Sequence, residues 1–326
     1  MSQEYAVIFK IMTNINRHLP KSQLRIPNFL RTLIIRPSSL GDTLLLAPAL
    51  HQLADTVELT LLGRRPGINF LRPFLRDCLD FENHGWHSLF MENSQCNDLF
   101  IPDVERVIAF LSDPDGLAKK GLRKCLNHIP VFLFPPFPPR EEKIHVALYL
   151  ASCLKKSGLP LNPESSIEQA KIRPLLKQNG PSRSEGTVVF HPGSGSNSKN
   201  YPAEFWIDLI RDNAFTIYRK KILLLGPAEV EWQKISTREL FGPDVEIIFS
   251  PSKDQLVSLL KNASSYLGHD SGITHLSAML GTHTTALFKA SDPLQWSPLG
   301  PDVIVIAGCD NSQDIYEKIK KTLKRG

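Results

Sequence analysis

Four short segments of this chain combine residue types that can bind an anion or move a proton. The first, Arg36-Pro37-Ser38-Ser39-Leu40-Gly41-Asp42-Thr43, leaves an apolar run, turns through small residues and presents one carboxylate. A carboxylate placed there can accept a proton from an attacking hydroxyl, or it can simply cap a helix, which is worth about 1 kcal/mol. The second segment, His191 to Pro202 (HPGSGSNSKNYP), offers Gly193 and Gly195, three serines including Ser194, and Lys199. Bare N–H groups, hydroxyls and one ammonium describe a phosphate cradle, although an ordinary flexible loop has the same composition. It lacks the GxxxxGK[ST] spacing, so nothing implies ATP hydrolysis. In the third, Gly268 to His275 (GHDSGITH), Asp270 can cap a helix or accept from a sugar hydroxyl, and the N–H groups of Ser271 and Gly272 can receive an anion. His275 falls one helical turn past Ser271 and shares its face, but alone it reads as a core histidine. In the fourth, Leu225-Gly226-Pro227-Ala228-Glu229, the acid can bind ribose or base, or merely favour a helix dipole.

All four segments follow strand-like runs and enter helix-like ones. From Arg31 the pattern alternates short β-rich runs with amphipathic stretches, as parallel βα units do. Leu33–Arg36, Val57–Leu62, Val107–Leu111 and Val131–Phe134 read as strands, with helices at Asp42–Ala54 and Glu141–Ser157. Residues 64–105 are poorly patterned. The prolines at 135–139 force an extended segment, because each removes a donor and restrains its predecessor. The Pro-, Ser- and Gly-rich stretch from Leu159 to Gly186 reads as an interdomain linker. Beyond it, Val188–His191, Ile222–Leu225, Val245–Phe249, Tyr266–Gly268, Thr284–Phe288 and Val303–Ile306 read as strands. Helices are expected between them at Ala203–Arg211, Glu229–Leu240, Asp254–Asn262 and Ile273–Leu280, with a last one at Ser312–Lys324. The expectation is α/β, two doubly wound units of residues 32–180 and 181–326. Ligands of such sheets sit beyond the strand carboxyl ends, where the four segments fall.

Composition narrows the class. The 326 residues are 42% apolar and 22% charged, the balance of a globular protein long enough for two domains. Apolar runs such as Leu44–Leu50 are far too short to span a bilayer, and the first thirty residues lack a signal-peptide pattern. Cys78, Cys96, Cys125, Cys153 and Cys309 are scattered, without a CxxC pair. That spacing argues against a disulfide framework or zinc site and for a reducing cytoplasm. Most of the +5 net charge lies in residues 1–31, where Lys10, Arg17, Lys21, Arg25 and Arg31 face only Glu4. Val7, Ile8, Ile11, Met12, Ile15 and Leu19 recur there at helical spacing. This extension reads as a basic amphipathic helix that either lies on an anionic membrane or packs on its own domain. The near-neutral remainder argues against nucleic-acid binding.

Together the four segments resemble glycosyltransferase family 9, the heptosyltransferases of the lipopolysaccharide inner core. The likeness is carried by residues 33–53 (LIIRPSSLGDTLLLAPALHQL), 188–209 (VVFHPGSGSNSKNYPAEFWIDL), 223–229 (LLLGPAE) and 268–300 (GHDSGITHLSAMLGTHTTALFKASDPLQWSPLG). It does not reach residues 64–130 or the N-terminal extension. The resemblance implies a GT-B fold, two Rossmann-like domains facing across a cleft, with acceptor on the first and nucleotide sugar on the second. It implies that Asp42 is the general base and Lys199 the diphosphate-binding cation. It places the donor on Ser194, Gly195, Glu229, Asp270, Ser271, Gly272 and His275, with acceptor contacts at Ser38, Ser39 and Gly41. Two departures flank the donor side. His269 stands where Asn is common, and Lys289-Ala290 replaces a usual Gly-Pro.

The implied activity is inverting transfer of a heptose, or a related sugar, from an ADP-sugar onto the lipopolysaccharide inner core or a similar lipid-linked saccharide. It would occur in the cytoplasm, with peripheral contact at the inner face of the membrane. Inversion needs one base for the attacking hydroxyl, and the departing nucleoside diphosphate needs stabilising charge. No Asp-x-Asp triad marks the donor loops, so no metal or other cofactor is expected, with Lys199 and backbone amides acting instead. An NAD(P)-dependent oxidoreductase would need GxGxxG after its first strand, where this chain offers one glycine. Another GT-B enzyme using a different nucleotide sugar, a hexosyltransferase or an epimerase, fits the same pattern. A non-catalytic nucleotide-sugar-binding protein would not need both Asp42 and Lys199.

Overall fold

The computed structural model describes residues 30–326 except 84, 92–95, 97–98, 127, 140, 177–185, 230–231, 233–237, 309–311 and 324–326. The amphipathic helix expected in the N-terminal extension therefore lies outside the described residues, as does the boundary at 180/181.

Two wholly parallel sheets form the frame. The first contains β1 (Leu30–Arg36), β2 (Val57–Gly63), β3 (Asp77–Asp80), β4 (Arg106–Phe110) and β5 (Val131–Phe134) in the order β3-β2-β1-β4-β5. The second contains β6 (Thr187–His191), β7 (Lys220–Leu225), β8 (Val245–Phe249), β9 (Ser265–His269), β10 (His283–Phe288) and β11 (Val303–Ala307) in the order β11-β10-β9-β6-β7-β8. Helices cover both faces, so the central strands are buried throughout rather than alternately: β6, β9 and β10 are buried at every position. This is the GT-B arrangement. In each sheet the strand order reverses beside the first strand, between β1 and β4 and between β6 and β9. The loops leaving β1, β6 and β9 therefore open at the two crevices where such sheets bind ligands.

The expected helix over 42–54 is two helices, α1 (Leu40–Leu44) and α2 (Ala47–Leu53). Pro48 lies in the first turn of α2, where its missing N–H costs nothing, so the chain restarts there instead of running through. The poorly patterned region holds α3 (Gly67–Leu71), β3 and a 3-10 turn at Trp86–Phe90. Next come α4 (Leu117–Cys125) and α5 (Val146–Lys156), the latter starting at His145 rather than at 141. The stretch read as linker contains α6 (Pro163–Ile172). The helix starts with Asn162 as N-cap followed by Pro163 at the first helical position. The Asn162 side chain accepts from Ser165 N at 2.9 Å.

The second half carries α7 (Ala203–Arg211), α8 (Arg238–Phe241), α9 (Lys253–Asn262), α10 (Gly272–Met279), α11 (Pro293–Trp296) and α12 (Ser312–Thr322). Most of the helix expected over 229–240 falls outside the described residues. Its described ends are a 3-10 turn at Pro227–Glu229 and α8.

Cysteine usage also departs from expectation: Cys96 and Cys125 form a disulfide. Their separation of 29 residues hides a Cα distance of 5.1 Å, which the fold creates by bringing the end of α4 beside the segment after Trp86–Phe90. Cys78 and Cys153 are free.

Candidate active site

The last residue of β1, Arg36, is completely buried. Its guanidinium lies over the rings of Phe110 and Phe137, donates to Pro136 O at 2.8 Å and reaches Asp42 O at 3.2 Å. Burial lowers its pKa to about 10, with the Asp42 charge as the largest opposing influence. Arg36 thus fixes the turn into α1 from beneath. Ser39, not Asp42, is the N-cap of α1, and Asp42 is its third residue. The Ser39 hydroxyl donates to Asp42 Oδ2 at 2.8 Å and accepts from Asp42 N at 3.4 Å. One carboxylate oxygen is held, and Asp42 lines an open cleft of about 330 Å³ together with Ser39 and Gly41. Ser38 is turned the other way, its hydroxyl 3.3 Å from Thr43 Oγ1.

The opposite wall comes from the second sheet and includes Gly195, Lys199, Asp270, Ser271, Gly272 and His275. Asp270, 5% exposed, does not cap α10; Ser271 does, accepting from Thr274 N. The Asp270 carboxylate instead gathers donors from three segments. Oδ2 accepts from Lys199 Nζ at 2.6 Å and Ser291 Oγ at 2.5 Å, and Oδ1 lies 3.8 Å from His275 Nε2. Burial alone would raise this carboxyl, but His275, Lys199 and Ser291 together outweigh it and hold it well below the usual carboxylate range. The buried His275 Nδ1 has no partner among the described residues.

His269 explains how the Lys199 loop keeps its shape. Its Nε2 accepts from Tyr201 N at 2.9 Å, so Nδ1 carries the proton and donates to Pro192 O at 2.8 Å. One neutral imidazole thus fastens both ends of the loop, and burial lowers its pKa to about 3. Ser194 is turned into the same loop, against Asn200 Oδ1 and Ser196 O, and Glu229 lies beneath it, accepting from Gly226 N at 2.6 Å. A Cβ at Gly193 would overlap the Glu229 carboxylate, so the loop can pass there only as glycine. Ser194, Glu229 and Ser38 shape their loops rather than line the cleft.

The two walls touch. A Cβ on Gly272 would lie 2.6 Å from Leu40 Cγ and 2.8 Å from Gly41 N, so the starts of α1 and α10 abut through paired glycines. Further along, His145 Nε2 donates to Ser297 O at 2.9 Å, Gln295 Nε2 donates to Glu142 O at 3.1 Å, and Phe137 meets Trp296. Phe137, Trp296, Ser291 and Arg36 were not among the sequence candidates, because each acts through a neighbour distant in the chain. Only the proline cluster around Phe137 and the SDPLQW stretch hinted at structured loops. An Asp-x-Asp does occur at Asp113-Pro114-Asp115, but Asp113 accepts from Ala118 N and Lys119 N at 2.9 Å, capping α4. Among the described residues no group of three or more His, Cys, Asp or Glu could hold a metal ion. Nor is any described helix long and apolar enough to cross a membrane.

The structure is similar to Escherichia coli heptosyltransferase WaaC with ADP, with TM-score 0.65 and 17% identity, covering 90% of this chain and all of that one. It is similar to the E. coli ADP-heptose lipopolysaccharide heptosyltransferase II, at TM-score 0.62 and 16% identity, covering 90% and 98%. A family 9 glycosyl transferase from Veillonella parvula DSM 2008 matches at TM-score 0.63 and 16% identity, covering 90% and 91%. No curated protein sequence matches the chain. The sequence model of glycosyltransferase family 9 (heptosyltransferase) matches residues 135–325, more than half of the chain, so this protein belongs to that family and is a glycosyltransferase.

Proposed function

We propose that this glycosyltransferase moves a heptose, or a closely related sugar, from an ADP-sugar onto the lipopolysaccharide inner core or a related lipid-linked saccharide, with inversion. The observation that supports it is one cleft that has Asp42 on one wall and Lys199 with the Asp270 cluster on the other. In this reading Asp42 takes the proton of the attacking hydroxyl as the new bond forms at the anomeric carbon. Its second oxygen, held by Ser39, keeps the carboxylate oriented. The bond to the diphosphate breaks on the opposite face. Lys199 leaves Asp270 for the departing diphosphate, helped by the N–H groups at Ser271 and Gly272, where the positive end of α10 opens. Gly195 lets the loop approach the diphosphate. Glu229 and Ser194 keep that loop in shape from below, and His275 completes the wall. Ser39 and Gly41 border the acceptor, and Ser38 supports their turn. No metal is needed in this scheme, because the chain supplies the cations itself.

The acceptor's lipid would bring the enzyme to the cytoplasmic face of the inner membrane, with the basic N-terminal extension as a peripheral contact. The alternative reading is another GT-B enzyme acting on a different nucleotide sugar, such as a hexosyltransferase. A donor screen decides between them, measuring released nucleoside diphosphate with a defined lipid A–Kdo acceptor (Kdo, 3-deoxy-manno-octulosonate), with and without EDTA. ADP-heptose should give the highest acceptor-dependent release, unchanged by EDTA. Absence of acceptor-dependent release from every donor would overturn the lipopolysaccharide-core reading.

A further inference from the structure

We propose that Trp296 and Phe137 form an aromatic platform for the acceptor's sugar ring. This rests on the transferase reading above and adds the subsite that orients the acceptor. Both residues are half-buried and line the same cleft as Asp42 and Lys199. Their ring centroids are 5.3 Å apart at an interplanar angle of 62°, so the edge of one meets the face of the other and an aromatic corner remains. A saccharide ring presents hydroxyls around its rim and a face of C–H bonds. Those C–H bonds carry slight positive charge and suit an electron-rich aromatic face, while the rim needs polar partners. The cleft supplies both kinds of surface.

The corner is also held rigid. The Arg36 guanidinium lies 5.4 Å from the Phe137 ring centroid and binds Pro136 O, fixing the backbone next to that ring. Trp296 is the last residue of α11, whose Asp292 cap accepts from Leu294 N at 2.9 Å. On either side of it, Gln295 and Ser297 bond to Glu142 and His145 of the first half. Side chains locked before binding lose little entropy when a ligand packs on them.

The choice of the acceptor over the nucleotide follows from Arg36. That one guanidinium touches both Phe137 and Asp42 O, at 3.2 Å, so the aromatic corner is one side chain away from the candidate base. The ring whose hydroxyl Asp42 deprotonates must lie beside Asp42. In the transferase reading the nucleoside is joined to the end of the diphosphate remote from the transferred sugar, so it extends away from Asp42 rather than beside it.

The test uses the full chain, with ADP-heptose and the lipid A–Kdo acceptor as probes. Trp296→Ala and Phe137→Ala should each raise the acceptor KM about 10-fold while donor KM stays near wild type. Each also removes a half-buried ring packed on the core, so the melting temperature should fall by several degrees. Trp296→Phe, which keeps an aromatic face, should recover most of that loss. Binding is read separately from activity by intrinsic fluorescence. Of the four tryptophans, Trp86 and Trp206 are fully buried, so addition of the acceptor should perturb emission in the wild type and much less in Trp296→Phe. Wild-type turnover with an unchanged acceptor KM in Trp296→Ala overturns the platform alone, and so does a rise confined to donor KM. A wild type that neither binds nor glycosylates the probe overturns the lipopolysaccharide-core reading, and with it the platform for that acceptor.

Discussion

Replacing Asp42 by Asn isolates the proton-accepting function of this residue from its structural one. Among the described residues the carboxylate makes one hydrogen bond, in which Oδ2 accepts from the Ser39 hydroxyl at 2.8 Å while Ser39 caps α1. The Asn amide oxygen can accept that same bond. What is lost structurally is a negative charge in the first turn of a helix, worth about 0.3–1 kcal/mol, and its attraction to the buried Arg36. Arg36 keeps its bonds to the Asp42 and Pro136 carbonyls and its two aromatic neighbours. The melting temperature should therefore fall by only a few degrees. General-base catalysis contributes about 10²–10⁴-fold, or roughly 2.7–5.4 kcal/mol at 1.36 kcal/mol per decade. The catalytic loss is several times the structural one, so the two roles separate cleanly. The assay is nucleoside diphosphate release at saturating donor and acceptor, beside a thermal melt and a donor-binding titration. Ser39→Ala is the control: it removes the cap but leaves the carboxylate, so it should cost about 1 kcal/mol of stability with a smaller fall in turnover. Turnover of Asp42→Asn within a few-fold of wild type would leave Asp42 as a helix-turn residue only and refute the mechanism.

Three further outcomes follow from the same geometry. Lys199→Met should lower kcat roughly 10²–10³-fold and also destabilise the fold by about 1–3 kcal/mol, because it strips the buried Asp270 of its cation. A melt beside kinetics reads both, and normal turnover would exclude Lys199 from leaving-group stabilisation. Gly272→Ala should cost about 1–3 kcal/mol and weaken donor binding in a titration, since its methyl group must force apart the starts of α1 and α10. Stability should also fall on acidification. His145, with its pKa lowered to about 4, and His269, with its pKa lowered to about 3, both by burial, stay neutral in the folded chain while the unfolded chain takes up protons near pH 6.5. The unfolded state therefore binds more protons below pH 6.5, and each histidine removes about 1.4 kcal/mol of stability per pH unit from there down towards its folded pKa. Chemical denaturation from pH 7 to 4.5 checks this, and His145→Asn, which can still cap α5, should flatten the slope.

Most strands were legible because a parallel sheet covered on both faces demands uninterrupted apolar runs, and those at 188–191, 222–225 and 284–288 have no competing reading. β3, a four-residue edge strand with two aspartates, carries no such run and was missed. Helix starts were less legible. Asn162-Pro163 falls in the stretch read as linker and is a helix start, and Pro48 divides one amphipathic run into two helices. Local chemistry there is the same for a turn and for a helix beginning, and only packing against α2 and α5 selects the helix. The disulfide shows the same limit: two cysteines 29 residues apart carry no local signal of being neighbours.

The site divides along a similar line. Asp42, Lys199, Asp270 and the glycines around them were visible in sequence because loops at strand carboxyl ends concentrate small and polar residues in short order. The roles within the cluster were not visible. Asp270 reads in sequence either as a cap or as an acceptor from a sugar hydroxyl, and in the fold it accepts from Lys199 and Ser291, which come from loops 71 residues before and 21 residues after it. Arg36 reads as the end of a strand and is the buried cation that joins Asp42 to the aromatic corner. Sequence by itself singled out three of the loops that line the cleft, since backbone turns and charged groups are specified locally. Which side chains hold one another, and which faces close the cleft, was decided only when two separately wound sheets met. Hydrogen bonds and ring contacts act over a few ångströms of space, whatever their separation along the chain.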